Sequence, residues 1–111
     1  MDEAVIPVLH VADAPHAVAW YQRLGFTQDW EHQFGPGFPR FVSIARGNLQ
    51  IYLSEHAGDA WPDTLIHLVV RDVDAIAVEF GATVDEDGMA GREIELRDPD
   101  NNRLRIATPR S

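Results

Sequence analysis

The stretch that decides the fold is GREIELRDPDNNRLRIAT, residues 91–108. Apolar and polar residues alternate on both sides of a central segment, Asp98–Asn102, that is rich in turn-forming residues. Successive side chains of a β-strand point to opposite faces, so the alternation predicts two strands, Arg92–Arg97 and Arg103–Thr108. Because Asp, Pro and Asn favour tight turns, the whole stretch is predicted to be a β-hairpin.

The same order of signals occurs twice along the chain. A second hairpin is predicted around Gly47-Asn48, and a strand, a helix and a strand precede each hairpin. The helices are predicted to begin after Asp13 and Asp72, which can cap them, and to end at Gly25 and Gly81. The other predicted strands are Val5–Val11, Phe26–Gln33, Phe38–Ala45, Leu49–Ser54, Leu65–Val70 and Thr83–Asp85.

This repeat predicts one α+β domain built of paired βαβββ modules, at residues 1–57 and 62–111, with Glu55–Pro62 as a linker. One module alone would leave a sheet face without a covering layer, and pairing two modules removes that problem. In Leu49–Ser54, residues Leu49, Ile51 and Leu53 are expected to lie under the helices. The opposite polar face is either an ordinary solvated face or the lining of a concave pocket.

Composition restricts the function classes. The net charge of −9 disfavours nucleic acid and anionic membranes as partners and favours cationic small molecules. The absence of cysteine excludes disulfides and thiolate metal sites and fits a cytoplasmic protein. No signal peptide and no apolar run long enough to span a bilayer are expected.

Three segments resemble the vicinal oxygen chelate superfamily, and within it the glyoxalase/bleomycin-resistance branch. They are Ile6–Leu9, Asp13–Phe26 and Gly91–Asp100, of which the last matches best. The resemblance implies a curled mixed sheet with the helices on its outer face. It also implies a homodimer that exchanges N-terminal strands, with Pro7 as the hinge.

Metal-dependent members of that superfamily place ligands at four strand positions, which correspond here to Ile6, Tyr52, Leu65 and Arg105. None of these four is a usual ligand, so we expect no metal and no cofactor. His67 lies in an apolar strand and is a candidate for lining a pocket. The other histidines are expected to be exposed or partly buried residues and not metal ligands; they are His10, His16, His32 and His56.

The resemblance to this branch therefore implies a non-catalytic protein that sequesters a cationic antibiotic of the bleomycin class in clefts of a homodimer. A cleft of this kind needs aromatic surfaces and a few polar anchors. The candidates are Trp30, Phe34, Phe38, Phe41, Tyr52, Trp61, His67, Glu93, Glu95 and Arg105. Two departures from the bleomycin-binding pattern are Ala90, where those proteins carry tryptophan, and Asn101, where they carry glycine.

Two alternatives remain open at this stage. The first is a metal-dependent enzyme of the glyoxalase or dioxygenase type whose ligands lie at other positions. The second is a dimeric scaffold without a ligand.

Overall fold

The computed structural model describes residues 3–110 and contains eight strands and two helices in that range. Each half has the predicted order of strand, helix and three strands. The first half comprises β1 (Val8–His10), α1 (Ala14–Gln22), β2 (Thr27–Gln33), β3 (Arg40–Arg46) and β4 (Leu49–Ser54). The second comprises β5 (Leu65–Val69), α2 (Val73–Phe80), β6 (Asp85–Gly88), β7 (Gly91–Arg97) and β8 (Arg103–Thr108).

The strands form two separate four-stranded mixed sheets rather than one continuous sheet. Their orders are β1-β4-β3-β2 and β5-β8-β7-β6. The pairs β1–β4 and β5–β8 are parallel, and the other neighbouring strands are antiparallel. The predicted α+β class with paired βαβββ modules is confirmed, with the sheet divided between the modules.

The predicted signals mark three of the four helix ends. The Asp13 side chain accepts a hydrogen bond from the His16 amide, and Asp72 accepts one from the Ala75 amide. Gly81 has the left-handed conformation, φ 64°, that commonly ends a helix. The first helix instead ends at Gln22, before Gly25, because the next residues form tighter turns. Neither helix, at nine and eight residues, could cross a membrane.

The core of each module lies between its helix and one face of its sheet. Leu49 is partly buried, and Ile51 and Leu53 on the same face are buried, as the alternation predicted. The molecule measures 47 × 33 × 22 Å. The shortest dimension fits one helix layer, about 10–12 Å across, on one sheet layer. The sheet face away from the helices, called here the open face, therefore lies at the surface in both modules.

Side chains of the two helices join the modules at one place. The ring centroids of Trp20 and Phe80 lie 5.2 Å apart, and the Arg23 guanidinium lies 4.2 Å from the centre of the Phe80 ring. Arg23 also forms an ion pair with Glu79 at 3.0 Å. These groups are partly exposed, so the contact stabilises the pairing only modestly.

A buried carboxylate joins the modules at a second place. Asp98 begins the turn between β7 and β8, and its Oδ2 accepts hydrogen bonds from the Tyr21 hydroxyl at 2.8 Å and the Asn102 side-chain amide at 2.9 Å. Its Oδ1 accepts hydrogen bonds from the backbone amides of Asp100 and Asn102. Because Tyr21 lies on α1, this group connects the second module's turn to the first module's helix.

The same turn also binds the backbone that follows β1. The Asn102 side-chain amide donates to the carbonyl of His10, the last residue of β1, at 3.0 Å, and the Asp100 carboxylate accepts from the Ala12 backbone amide at 2.8 Å. The Asn102 side-chain oxygen accepts from the Thr64 amide, just before β5. The turn at 98–102 is thus the main polar junction of the fold. Asn101 has a φ of 68°, which asparagine tolerates better than most residues.

We expect the substitution Asp98→Ala to destabilise the protein by about 3 kcal/mol, because it leaves several buried donors without an acceptor. Asp100→Ala is the matched control; it removes one partly exposed acceptor and should cost about 1 kcal/mol. Urea denaturation followed by circular dichroism measures both. Equal losses for the two variants would show that Asp98 does not have this role.

Burial raises the pKa of the Tyr21 hydroxyl far above its usual value near 10, and the neighbouring Asp98 charge raises it further. The unfolded chain releases this proton near pH 10, whereas the folded protein retains it. The stabilisation is therefore complete below pH 10 and is lost above it, at about 1.4 kcal/mol per pH unit. Tyr21→Phe should remove this slope in denaturation measured between pH 9.5 and 11. Identical slopes for the variant and the wild type would contradict the assignment.

Candidate functional site

Three aromatic side chains form a cluster on the open face of the first sheet. Trp30 lies on β2, Phe41 on β3 and Tyr52 on β4. The ring centroids of Trp30 and Phe41 are 6.0 Å apart and nearly parallel, while Tyr52 is tilted at 5.4 Å from Trp30 and 5.0 Å from Phe41. The structure thus brings three of the predicted site residues together. We call Trp30, Phe41 and Tyr52 the aromatic cluster.

An irregularity in β2 places Trp30 on this face. The register of β2 against β3 shifts between Gln28 and Trp30, so that Asp29 is an extra residue and Trp30 lies opposite Ser43. Without this β-bulge, the side chain at position 30 would point towards the helix side of the sheet. The Ser43 hydroxyl donates to the Asp29 carboxylate at 3.3 Å. The bulge therefore places the Trp30 side chain on the open face of the sheet and not on the face that contacts the helix.

A cleft of about 620 Å³ opens beside the cluster. We call it the aromatic cleft; its lining residues are Trp30, Glu31, His32, Phe34, Phe41, His56 and Asp59. The ring of Phe34 meets His32 edge-on at 4.6 Å and His56 at 6.4 Å. The volume of the aromatic cleft lies within the range of about 300–1,000 Å³ that is usual for small-molecule sites.

Four lining residues were not among the sequence-based candidates. His32 and His56, which the sequence did not single out as site candidates, line the aromatic cleft. His32 follows Trp30 by two residues on one strand, so strand periodicity could have identified it. His56 and Asp59 belong to the linker, which turns back on the end of β4 through the 2.6 Å hydrogen bond from Ser54 to Asp59. No sequence signal identified them.

Carboxylates give the aromatic cleft a polar edge. Glu31 forms an ion pair with Arg40 at 3.2 Å, and Asp59 accepts the hydroxyl of the buried Ser54. Both Glu31 and Asp59 are among the exposed residues, and the Glu31 side chain is 37% exposed. The cleft thus combines flat apolar surfaces with acceptors, which is a suitable combination for a planar cation.

The charged candidates lie on the open face of the second sheet. Glu95 and His67 both lie opposite Arg105 in neighbouring strands, and the Arg105 guanidinium contacts Glu95 at 3.0 Å. Glu93 lies two residues before Glu95, and its Oε1 is buried without a hydrogen-bond donor among residues 3–110. Most of the predicted residues therefore fall into two groups. The aromatic group is the aromatic cluster with Phe34, and the charged group comprises His67, Glu93, Glu95 and Arg105 on the second sheet.

Three candidates lie outside both groups. Phe38 is exposed in the loop between β2 and β3, where its carbonyl accepts from the Gln33 side chain. Trp61 is 86% exposed and lines a smaller cleft of about 320 Å³ that also includes His10 and Ala57. The Pro7 carbonyl accepts from the Tyr52 amide, so the proposed hinge residue lies next to the aromatic cluster.

The four positions that correspond to metal ligands do not suit a divalent ion. Two of them, Ile6 and Leu65, offer no donor atom. Arg105 is a permanent cation already paired with Glu95, and a metal ion beside it would be repelled. Within residues 3–110 no three His, Cys, Asp or Glu side chains are grouped so that they could hold a metal. We therefore derive no chemistry through a metal.

The sequence comparison decides the family. The sequence profile described as Glyoxalase superfamily protein matches residues 1–109. The chain belongs to the glyoxalase superfamily. The predicted family is thus confirmed. No curated protein sequence matches this glyoxalase-superfamily chain.

Solved structures with the same fold include binding proteins and an enzyme. The bleomycin-binding protein from Streptomyces verticillus, complexed with copper(II)-bleomycin, is 27% identical, with a TM-score of 0.69 and 99% and 98% of the two chains covered. An antibiotic-binding protein from a Streptomyces species is 21% identical, with a TM-score of 0.75 and 99% and 98% covered. Glyoxalase I from Leishmania major is 16% identical, with a TM-score of 0.70 and 97% and 87% covered.

Proposed function

We propose that this member of the glyoxalase superfamily is a non-catalytic protein that sequesters a cationic antibiotic of the bleomycin class. The aromatic cluster of Trp30, Phe41 and Tyr52, open to a cleft of about 620 Å³, is the observation that carries the proposal. Two structural neighbours bind antibiotics, which agrees with it. The chain has no cysteine, which suits a reducing cytoplasm, and we place the protein there.

Ring stacking is the proposed basis of affinity. Trp30 is 43% exposed, so one surface of its ring is free to receive a planar group. Such a group would stack on Trp30 with Phe34 at its edge, and stacked or edge-on rings add about 0.5–1.5 kcal/mol beyond simple burial. Asp59, which has no ion-pair partner among residues 3–110, would attract a positive charge on the ligand, and the net charge of −9 would assist its approach.

We further propose that a second copy of the chain completes the site. One chain presents the aromatic group and the charged group on separate sheets, and both open faces lie at the surface. In a homodimer, the charged group of the partner would lie across the aromatic cleft, with exchange of the N-terminal strand at Pro7. Glu93 would then supply an acceptor for the cation, because its Oε1 lacks a donor among residues 3–110.

The proposed activity breaks no bond. The residues at the two groups bind and orient a ligand, and the four positions that hold a metal in related enzymes carry two apolar side chains, a phenol and a guanidinium. Ala90 replaces the tryptophan of bleomycin binders. A ligand related to bleomycin, but with a different planar group, is therefore included in the proposal.

Calorimetry with bleomycin, copper(II)-bleomycin and a panel of other cationic natural products tests the function. We expect saturable binding of at least one compound at one site per chain. Trp30→Ala should weaken it about tenfold or more, since stacking on one ring contributes about 1–3 kcal/mol. Met89→Ala is the matched control, because Met89 is an exposed apolar residue that does not line the aromatic cleft.

No binding across the panel would overturn the sequestration proposal. Stoichiometric Zn²⁺, Ni²⁺ or Fe²⁺, found by elemental analysis after metal loading, would favour a metal-dependent enzyme instead. A dimer that binds neither ligand nor metal would indicate a scaffold.

Mixing two defective variants tests the shared site. Trp30→Ala removes the aromatic wall, and Glu93→Ala removes the proposed acceptor on the other sheet. If each site uses both chains, an equal mixture after subunit exchange should regain about a quarter of the wild-type binding capacity, from heterodimers with one intact site. A mixture that binds no better than the separate variants would contradict a site shared between chains.

A further inference from the structure

A second cleft, of about 440 Å³, lies between the modules at the turn that joins β3 and β4. Its lining includes Arg46, Asn48, Leu49, Val69 and Arg71. It shares no lining residue with the aromatic cleft. We call it the arginine cleft.

The two arginines of this cleft are exceptional in this chain. All nine basic side chains are arginines. Six form ion pairs with carboxylates, and Arg110 donates to backbone carbonyls. Within residues 3–110, Arg46 and Arg71 have neither an ion-pair partner nor a side-chain hydrogen bond. In a protein with twice as many acidic as basic residues, both unpaired cations line one cleft.

The internal repeat shows what occupies the equivalent place in the other module. His10 pairs with Ser54 on β4, and Val69 pairs with Ala107 on β8. Ser54 and Ala107 are therefore equivalent positions, as are His10 and Val69, and two residues after the latter pair Ala12 corresponds to Arg71. Five residues before Ser54 and Ala107, Leu49 corresponds to Asn102. The residues that pair with Leu49 and Asn102 across the two turns are Arg46 and Asp98, so these also correspond to each other.

In one copy of the repeat the protein's own carboxylates fill this place. Asp100 accepts the Ala12 amide, and Asp98 accepts hydrogen bonds from the turn and from Tyr21. The other copy has a turn shorter by one residue, Gly47-Asn48, and this turn carries no acid. Correspondingly, the Arg71 amide donates no hydrogen bond within the described range. The first hairpin therefore lacks a carboxylate equivalent to that of Asp100, although the backbone N–H that would donate to it, that of Arg71, is present.

Among residues 3–110, the lining of the cleft supplies several donors and contains no acidic residue. Arg46 extends along Gly25, since a Cβ on that glycine would lie 3.5 Å from the Arg46 Cδ and Nε atoms. Two guanidinium groups and one backbone N–H match the acceptors of a phosphate or carboxylate group, which arginine binds with paired hydrogen bonds. Val69, Val70 and Leu49 offer an apolar surface for the rest of the molecule.

We infer that the arginine cleft is a binding site for a small organic anion, held through a phosphate or carboxylate group by Arg46, Arg71 and the Arg71 amide. The anion occupies the place that the acidic turn takes in the other module. This site is independent of the proposed antibiotic cleft. The protein's overall negative charge opposes the anion only weakly at physiological salt, where screening acts within about 8 Å.

The test is an NMR titration of the ¹⁵N-labelled full chain with sodium phosphate and, separately, with sodium succinate. Ionic strength is kept constant with sodium chloride. We expect saturable shifts of the backbone amides of Arg71 and Gly47 for at least one anion, with a Kd in the millimolar range or tighter. Saturation by phosphate alone indicates a phosphate ligand, and saturation by succinate indicates a carboxylate.

Variants distinguish a built site from general charge. Arg71→Gln and Arg46→Gln should each weaken binding about tenfold, since a charge-assisted hydrogen bond contributes about 1.5–3 kcal/mol. Arg97→Gln is the control with the same charge change, because Arg97 is exposed beside Asp63 and outside the cleft. Asn48→Asp should also weaken binding, by placing a carboxylate beside the arginines.

Shifts that do not saturate with either anion would overturn the inference. So would equal weakening by Arg97→Gln and Arg71→Gln. Arg71 is exposed, so its substitution should leave the fold intact, and thermal unfolding of each variant checks this.

Discussion

The hydrogen bonds of the Asp98 carboxylate are the constraint on which the rest of the structure depends. Each module could pack its own helix on its own sheet, but nothing within a module fixes its position relative to the other. Asp98 and its turn bind α1 through Tyr21 and the end of β1 through Asn102. The Tyr21 hydroxyl and the Asn102 side-chain amide are buried and hydrogen-bonded, so separating the modules would leave them without their partners. The position of the two open faces follows from this junction.

The two modules share a backbone and differ in the chemistry of their open faces. Tyr52 on the first sheet corresponds to Arg105 on the second, and Phe41 corresponds to Glu93. Equivalent positions are therefore aromatic in one module and charged in the other. Within the described chain, the second face has no aromatic cluster, and the first has carboxylates only at the edge of its cleft, which is why the proposed site uses two chains. The turns differ in the same way, since one carries carboxylates and the other is flanked by arginines.

The sequence predicted most of the fold because its signals are local. Alternation located both hairpins, and Leu49–Ser54 and Arg103–Thr108 match the observed strands. Asp13 and Asp72 cap the helices as predicted, because a cap depends on only a few neighbouring residues. The site was less predictable. The bulge at Asp29 adds one residue to a strand, and the approach of His56 and Asp59 depends on how the linker folds over β4. No periodic pattern contains that information.

The span of the Asp98–Asn102 junction has a consequence for how the protein is made. Its hydrogen bonds join residues 77, 88 and 92 positions apart. During synthesis the first module leaves the ribosome while residues 98–102 are still unmade, so its Tyr21 hydroxyl and Ala12 amide have no acceptor until the last part of the chain emerges. Proteins whose contacts join residues distant in sequence fold slowly, and they expose hydrophobic surface until folding is complete. A chain truncated before residue 98 would keep a complete first βαβββ unit and still be a target for chaperones and proteases.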